Sequence, residues 1–411
     1  MMKKLHIYRT VSNKKFNLFF LFCILTFSVV QAIENNHYDI SVDKNQDSLQ
    51  ISLKLIMSDN YYNRTNFIFG GYCNIHNLQV DGKSVRYEHS NDTLRIFSPN
   101  IRFLTIDYSI PIDIVTVSGA IILRREHNWY PHTNDELYSS NITISDSGSY
   151  IIASGTESSQ DSFKSEVSNE LHLFCLAKDS FDVKEIENLK FYYKKNRKEY
   201  TPEFYNEFVN SYNYYTSFFD DNLQNQSIHI VEISDPNFRI AQSLKGCIIF
   251  GSFFYKIYEM VPDFSWISHE VAHQWWGNTL LFMKNQNNRM FLEESITEYL
   301  KGMYIRDTKE IEKYNLLIDS YKNNFNSIDR NICFKEINNV RDLNESIMIY
   351  SYAPFLFNNL SDLDKLDLDN ELKQMYHKYK GIQISFADFL NSFHNDDIKK
   401  KVYSITNECF N

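Results

Sequence analysis

Glycine is scarce in this chain, 11 in 411 residues, and proline scarcer still at 7. That excludes a collagen-like repeat and a flexible Gly/Ser linker array. Basic residues are outnumbered, 42 Lys and Arg against 52 Asp and Glu, and the body of the chain has no long basic tract. A nucleic-acid partner is therefore excluded, because phosphate contacts need Lys and Arg. No Cys-x-x-Cys pair occurs, which argues against a thiolate zinc site. No internal repeat is present. The one long apolar run, Phe16 to Val30, is about 15 residues, short of the roughly 20 that span a bilayer.

What is present reads as a globular chain with ample core. Apolar residues make up 43% and the length suits two or three domains. The apolar run follows a basic leader (Lys3, Lys4, Arg9, Lys14, Lys15) and precedes Val30-Gln31-Ala32, with small residues where a signal peptidase reads. Residues 1–32 are expected to be a signal peptide, giving a secreted or periplasmic protein whose net charge falls from -10 to -15 on cleavage. Only an uncleaved leader would tie the chain to a membrane. Five cysteines remain: Cys73, Cys175, Cys247, Cys333 and Cys409. Their odd number and wide spacing predict mostly buried free thiols with at most one bridge.

Residues 33–165 are expected to form a β-rich domain. Asp47 to Met57 and Leu78 to Tyr87 largely alternate apolar and polar, and Asp81-Gly82 fits a hairpin turn. Thr143 to Ala153 is similar, and the Ser-, Asp- and Glu-rich stretch Ser158 to Glu170 reads as a connection. Beyond it the period changes. Pro202 to Asp220, Ser265 to Asn278, Glu293 to Asp307 and Lys309 to Asn324 read as helices, Ile228 to Ile233 and Gly246 to Phe250 as strands. The expected fold class is α+β, with a catalytic domain over 166–350 and a short helical segment over 351–411.

The chemistry concentrates in SWISHEVAHQWWGN, residues 265–278. Residues four apart share one helix face, so His269 and His273 aim two imidazoles at one point. Glu270 lies beside them, placed to take a proton from a water activated by the metal. A catalytic zinc needs a third protein ligand. No His follows His273 until His377, whereas FLEESITEYL (291–300) offers carboxylates. Glu294 is the expected ligand, with Glu293 as the alternative, pointing elsewhere on the helix and expected to be solvated. Glu298, one turn on from Glu294, can hold a ligand His through its other ring nitrogen.

HEVAHQWWGN followed by FLEESITEY resembles the gluzincin zinc metallopeptidases of the aminopeptidase N type, in a short form. The resemblance is strong over about residues 246–300 and weaker over 340–358. It implies a thermolysin-like catalytic domain behind a saddle-like β domain, one Zn²⁺ per chain, and hydrolysis of a peptide or protein substrate. It also aligns Glu294 with the family's third ligand, after an interval of 20 residues from His273. IYSYAPFL (349–356) resembles the segment whose tyrosine stabilises the oxyanion. Position matching selects Tyr350, with Tyr352 as competitor. Asn128-Trp129-Tyr130-Pro131 resembles a segment near the end of the family's β domain, and His127 and His132 beside it are expected to be structural.

One departure stands out. The family carries an acid that grips the substrate's free amine, just before the zinc helix. The matching stretch here, Lys245 to Gly251, keeps Gly246 but has no acid. Gly246, Cys247 and Ile248 are then expected to form the edge strand that pairs with substrate backbone. Strict aminopeptidase action does not follow from the resemblance. The chain ends about 60 residues beyond Tyr350, so a more open cleft is expected. The alternative is a zinc-containing binding or scaffold protein of the same fold that does not cleave.

Overall fold

The computed structural model describes residues 35–58, 63–134, 137–159, 161–197, 199–223, 226–260, 264–284, 286–326, 333–337, 340–362 and 368–407. The expected signal peptide and Cys409 lie outside these. No helix among the described residues is long and apolar enough to cross a membrane.

The architecture is α+β, with β-structure first and helices gathered in the C-terminal part. An eight-stranded sheet dominates the first part, flanked by sheets of three and four strands. Its central strand Ser48–Ile56 shows why it forms. Leu49, Ile51, Leu53 and Leu55 are buried and the residues between them face outward, the period of a half-buried strand. The predicted Asp81-Gly82 turn joins Asn74–Val80 to Lys83–Ser84, both residues having positive φ (50° and 76°).

The β-structure runs past the expected boundary at 165. Ser162–Ser168 is a strand of the large sheet, and Leu173–Ala177 pairs with Ala120–Leu123 and Ser149–Ala153. The Ser- and Glu-rich stretch read as a connection is the hairpin Thr156–Ser159/Ser162–Ser168 at the sheet's edge. Its first strand is wholly exposed and its second buries few apolar residues, so its pattern is polar, as edge strands commonly are.

The second part is built on a five-stranded sheet. Its order runs Phe181–Ile186, Leu189–Lys194, Ile228–Ile233, Cys247–Gly251, Ala241–Leu244. The last of these is the edge. The helix Pro202–Phe219 starts with proline at its first turn and ends at Asp220 in the left-handed region. It buries Phe204, Tyr205, Phe208, Tyr212, Tyr215 and Phe219, a three-and-four spacing that faces one core. Much of the chain's aromatic content sits here: Trp275 packs against Tyr212, Tyr215 and Phe219 at ring-centroid distances of 5.6, 5.9 and 6.1 Å. Truncating one such ring to alanine costs about 3–5 kcal/mol.

Side chains of the four-stranded and five-stranded sheets meet in one apolar cluster, including Ile122, Phe174, Tyr192, Val231 and Ile249. The β-rich part and the second part are thus packed face to face. Cys73, Cys175 and Cys247 are buried free thiols, and Cys333 is disulfide-bonded.

Candidate metal centre and its cleft

The Ser265–Ala272 helix ends one residue before His273, which keeps helical φ and ψ and caps it. The expected helix to Asn278 ends instead at Ala272, and past the turn that follows, Gly277 bends the chain at φ 110°. A Cβ at Gly277 would stand 3.3 Å from the His273 Nδ1, so glycine serves both the turn and the imidazole.

His269 Nε2 and His273 Nε2 are 3.1 Å apart. Glu294 Oε2 lies 3.3 Å from the first and 3.6 Å from the second. Donors on a tetrahedral zinc with bonds of roughly 2.0–2.2 Å stand roughly 3.3–3.5 Å from one another. The trio fits such an ion with little adjustment. Among the described residues it is the one group of His, Cys, Asp and Glu gathered this way.

The ring tautomers agree with this. His273 Nδ1 is 3.1 Å from the Trp276 carbonyl, which can only accept, so Nδ1 carries the proton and Nε2 offers a lone pair. His269 Nδ1 is 2.7 Å from Glu298 Oε2, with the same consequence. Glu298 is itself held by Lys301 and by the Tyr321 hydroxyl at 2.8 Å. Burial raises the Glu298 pKa, but Lys301 and His269 outweigh it and pull it to about 2. Burial likewise opposes charge on Glu294, and the two imidazoles outweigh it, holding the carboxyl well below its usual range. On His269 burial lowers the pKa, but Glu294 and Glu298 raise it to about 10.

Glu270 lines the same cleft and makes no hydrogen bond or ion pair among the described residues. Burial raises its pKa against the pull of His269 and His273. The Tyr350 hydroxyl donates to Glu294 Oε2 at 3.0 Å. Burial, then Glu294, raises its pKa, which keeps the phenol a neutral donor. Tyr352, the competitor, stacks on Phe334 instead and does not line the cleft. Glu293 is not solvated as expected. It pairs with Arg289 at 2.7 Å on the cleft wall, outside the metal trio.

Glu294 and Tyr350 each sit in a π-helical turn, Phe291–Ser295 and Met348–Tyr352. Such turns widen the helix by one residue and are frequent at functional sites. The expected continuous helix from Glu293 is thus a π turn leading into the helix Ile296–Thr308. The Trp276 indole N–H donates to the Leu292 carbonyl at 2.7 Å, tying the Glu294 turn to the histidine segment.

Gly246, Cys247 and Ile248 do not form the cleft edge expected of them. Cys247–Gly251 is an interior strand with strands on both sides, and Cys247 and Ile248 are fully buried. Its neighbour Ala241–Leu244 takes the edge, and Ala241, Gln242 and Ser243 line the cleft. With Leu244 its one buried residue, the strand shows no alternation for a period-two reading to find. Two residues of the motif hold this strand in place. The Gln274 amide donates to Ser243 Oγ at 2.6 Å and to the Leu244 carbonyl at 2.9 Å, and accepts from the Gly246 N–H at 2.9 Å. Asn278 also donates to Ser243 Oγ, at 3.1 Å.

The cleft has a volume of about 480 Å³. Asn169 and Glu170, from the end of the β-rich part, close one side. His127 and His132 line no part of it. Burial lowers both pKa values, that of His132 to about 3, as for neutral structural imidazoles.

No known family profile matches the sequence, and no curated protein matches it. Solved structures do match in fold. An M1 zinc metallopeptidase from Deinococcus radiodurans, in a variant bound to a Tyr-Ser-Ala substrate, aligns with a TM-score of 0.66 at 11% identity, over 91% of this chain and 94% of that one. A two-domain M1 zinc metallopeptidase bound to L-tryptophan aligns at 0.67 and 11% identity, over 92% and 96%. Native yeast LTA4 hydrolase aligns at 0.63 and 12% identity, over 90% of this chain and 66% of its own length. At these identities the likeness is one of fold: this chain has the fold of M1 zinc metallopeptidases.

Proposed function

We propose that this chain is a zinc-dependent peptidase. The observation that carries the reading is the spacing of His269, His273 and Glu294, which suits one zinc ion, with an unpaired Glu270 in the same cleft. A zinc ion there would supply Lewis acidity to the attacking water and the scissile carbonyl. Glu270 takes the proton from that water and passes it to the leaving amine. Tyr350 turns its hydroxyl from Glu294 to the oxyanion that develops on the carbonyl. Glu298 keeps His269 oriented, and Lys301 and Tyr321 keep Glu298 charged and in place. The edge strand Ala241–Leu244 receives the substrate backbone as an added strand. That strand carries no acid, so a free substrate amine is not gripped there and cleavage is not restricted to chain ends.

Export completes the reading: the leader is cut near Ala32 and the mature protein acts outside the cytoplasm. N-terminal sequencing of the protein purified from its host checks this.

The deciding experiment is a peptide-library digest read by mass spectrometry, with zinc and with chelator, on the wild type and Glu270→Gln. Cleavage that needs both zinc and Glu270 is expected. Bound zinc with no cleavage of any peptide would instead identify a binding protein of the same fold.

A further inference from the structure

Three cations line the cleft: Lys284, Arg289 and Lys301. Two are neutralised in place, Arg289 by Glu293 and Lys301 by Glu298. Lys284 is half-buried on the cleft wall and makes no hydrogen bond or ion pair among the described residues. An ammonium on a cleft wall with no ion pair is available to an anionic group that enters. Burial first, then the nearby positive charge of Arg125, lowers its pKa to about 8, while Glu170 and Glu293 pull the other way.

Its position is set rather than loose. The preceding residues Leu281–Phe282 pair in parallel with Gln383–Ile384, and the Met283 N–H donates to the Ile384 carbonyl at 3.1 Å. The carboxylate best placed to answer it does not. Glu170 lines the same cleft and feels Lys284 electrostatically, yet the two form no ion pair, and Glu170 Oε1 is buried with no hydrogen-bond partner. Arg125, behind them, is taken up by the carbonyls of Asn169, Thr133 and Asn134. The cleft is thus crowded with carboxylates around the metal trio and, among the described residues, holds a single unanswered positive charge.

We infer that Lys284 is a specificity-determining residue: it receives a carboxylate of the peptide substrate, so that peptides carrying one at the matching position are preferred. The inference rests on the peptidase reading and names the substrate class within it. Two sources share this chemistry, an acidic side chain near the scissile bond and the peptide's own C-terminal carboxylate. An ammonium on a four-carbon stem meets either as a point charge.

The test uses peptides that are cleaved by the wild type, varied as Glu against Gln at each position flanking the cut, and as free acid against amide at the C-terminus. The kcat/KM for each pair is measured on the wild type, Lys284→Met and Lys284→Arg. One arm is expected to show a preference for the carboxylate of about tenfold or more, worth about 1.4 kcal/mol. Lys284→Met should erase it, and Lys284→Arg should keep most of it, which separates lost charge from lost folding. A preference in the Glu/Gln arm assigns the side chain, and one in the acid/amide arm the chain terminus. If Lys284→Met lowers stability while the ranking of every peptide pair is unchanged, Lys284 is only a structural counter-charge to Glu170, and the inference is overturned.

Calorimetric titration of the same peptides onto the Glu270→Gln protein separates this from the peptidase reading. Carboxylate-dependent binding that vanishes with Lys284→Met, without cleavage by the wild type, would overturn the peptidase and leave the Lys284 site standing. Cleavage without any Lys284-dependent preference would do the reverse.

Discussion

The Ser295 hydroxyl donates to the backbone carbonyl of Ile349 at 2.8 Å, and both residues are fully buried. Together with the Tyr350–Glu294 hydrogen bond, this bond joins the π turn carrying Glu294 to the π turn carrying Tyr350. Replacing Ser295 with alanine leaves the carbonyl unanswered, a cost of about 1–3 kcal/mol. Ser295→Ala should therefore lower the urea midpoint and also reduce kcat, while zinc stoichiometry stays at one. A variant that loses stability with kcat untouched would show that the bond does not align the two turns.

Glu270→Gln keeps the volume and removes the base. It is expected to retain zinc and the wild-type circular dichroism spectrum, and to lose about 10²- to 10⁴-fold in turnover. Near-normal turnover in this variant would refute the role given to Glu270.

Glu294→Ala removes one of three donors. Zinc that binds the folded chain alone stabilises it by about 2.7 kcal/mol at a hundredfold excess over Kd. Differential scanning calorimetry with and without zinc should show a rise in Tm for the wild type and little or none for Glu294→Ala. An equal rise in both would place the ion elsewhere.

Tyr350→Phe deletes one donor to the oxyanion, an effect of about 10²- to 10³-fold in kcat when such a donor is lost. KM should change little, because the bond is made in the transition state. Tyr352→Phe is the control: its ring packs against Phe334, and its kcat should stay close to wild type. The opposite pattern would transfer the role to Tyr352.

The metal-free protein should show a characteristic pH profile. His269 is raised from 6.5 to about 10, so its contribution to stability is complete below pH 6.5 and is lost as pH climbs towards 10. Glu298 is depressed from 4.5 to about 2, so its contribution is complete above pH 4.5 and fades as pH falls towards 2. Stability is therefore expected to plateau between these limits. Zinc takes the place of the His269 proton and should flatten the alkaline limb. Urea midpoints from pH 3 to 10, with chelator and with zinc, check both. An alkaline limb of equal slope with zinc present would contradict it.

The metal trio was legible because its logic is local. Spacing places His269, Glu270 and His273 on one stretch of helix, and Glu294 four residues before Glu298, while the resemblance in FLEESITEY points to Glu294 as their partner. The lobe's larger helices and the Asp81-Gly82 turn were legible for the same reason. What escaped depends on contacts distant in sequence. No period in FLEESITEYL announces a π turn, since the extra residue is accommodated only once Trp276 meets the Leu292 carbonyl. The edge strand Ala241–Leu244 carries a single buried residue, and its place is set by Gln274 and Asn278. Glu170 and Lys284 are 114 positions apart and become neighbours only when the two parts of the chain pack.

The parallel pairing of Leu281–Phe282 with Gln383–Ile384 gives the last segment of the chain an unexpected standing. Gln383 and Ile384 lie 110 and 111 positions beyond His273 in sequence, yet they brace the stretch that ends at Lys284. Substitutions at Gln383 or Ile384 would shift the wall of the cleft beside Lys284 even with the His269, His273 and Glu294 trio intact. Variation remote from the trio in sequence is thus a route by which the shape of the cleft changes.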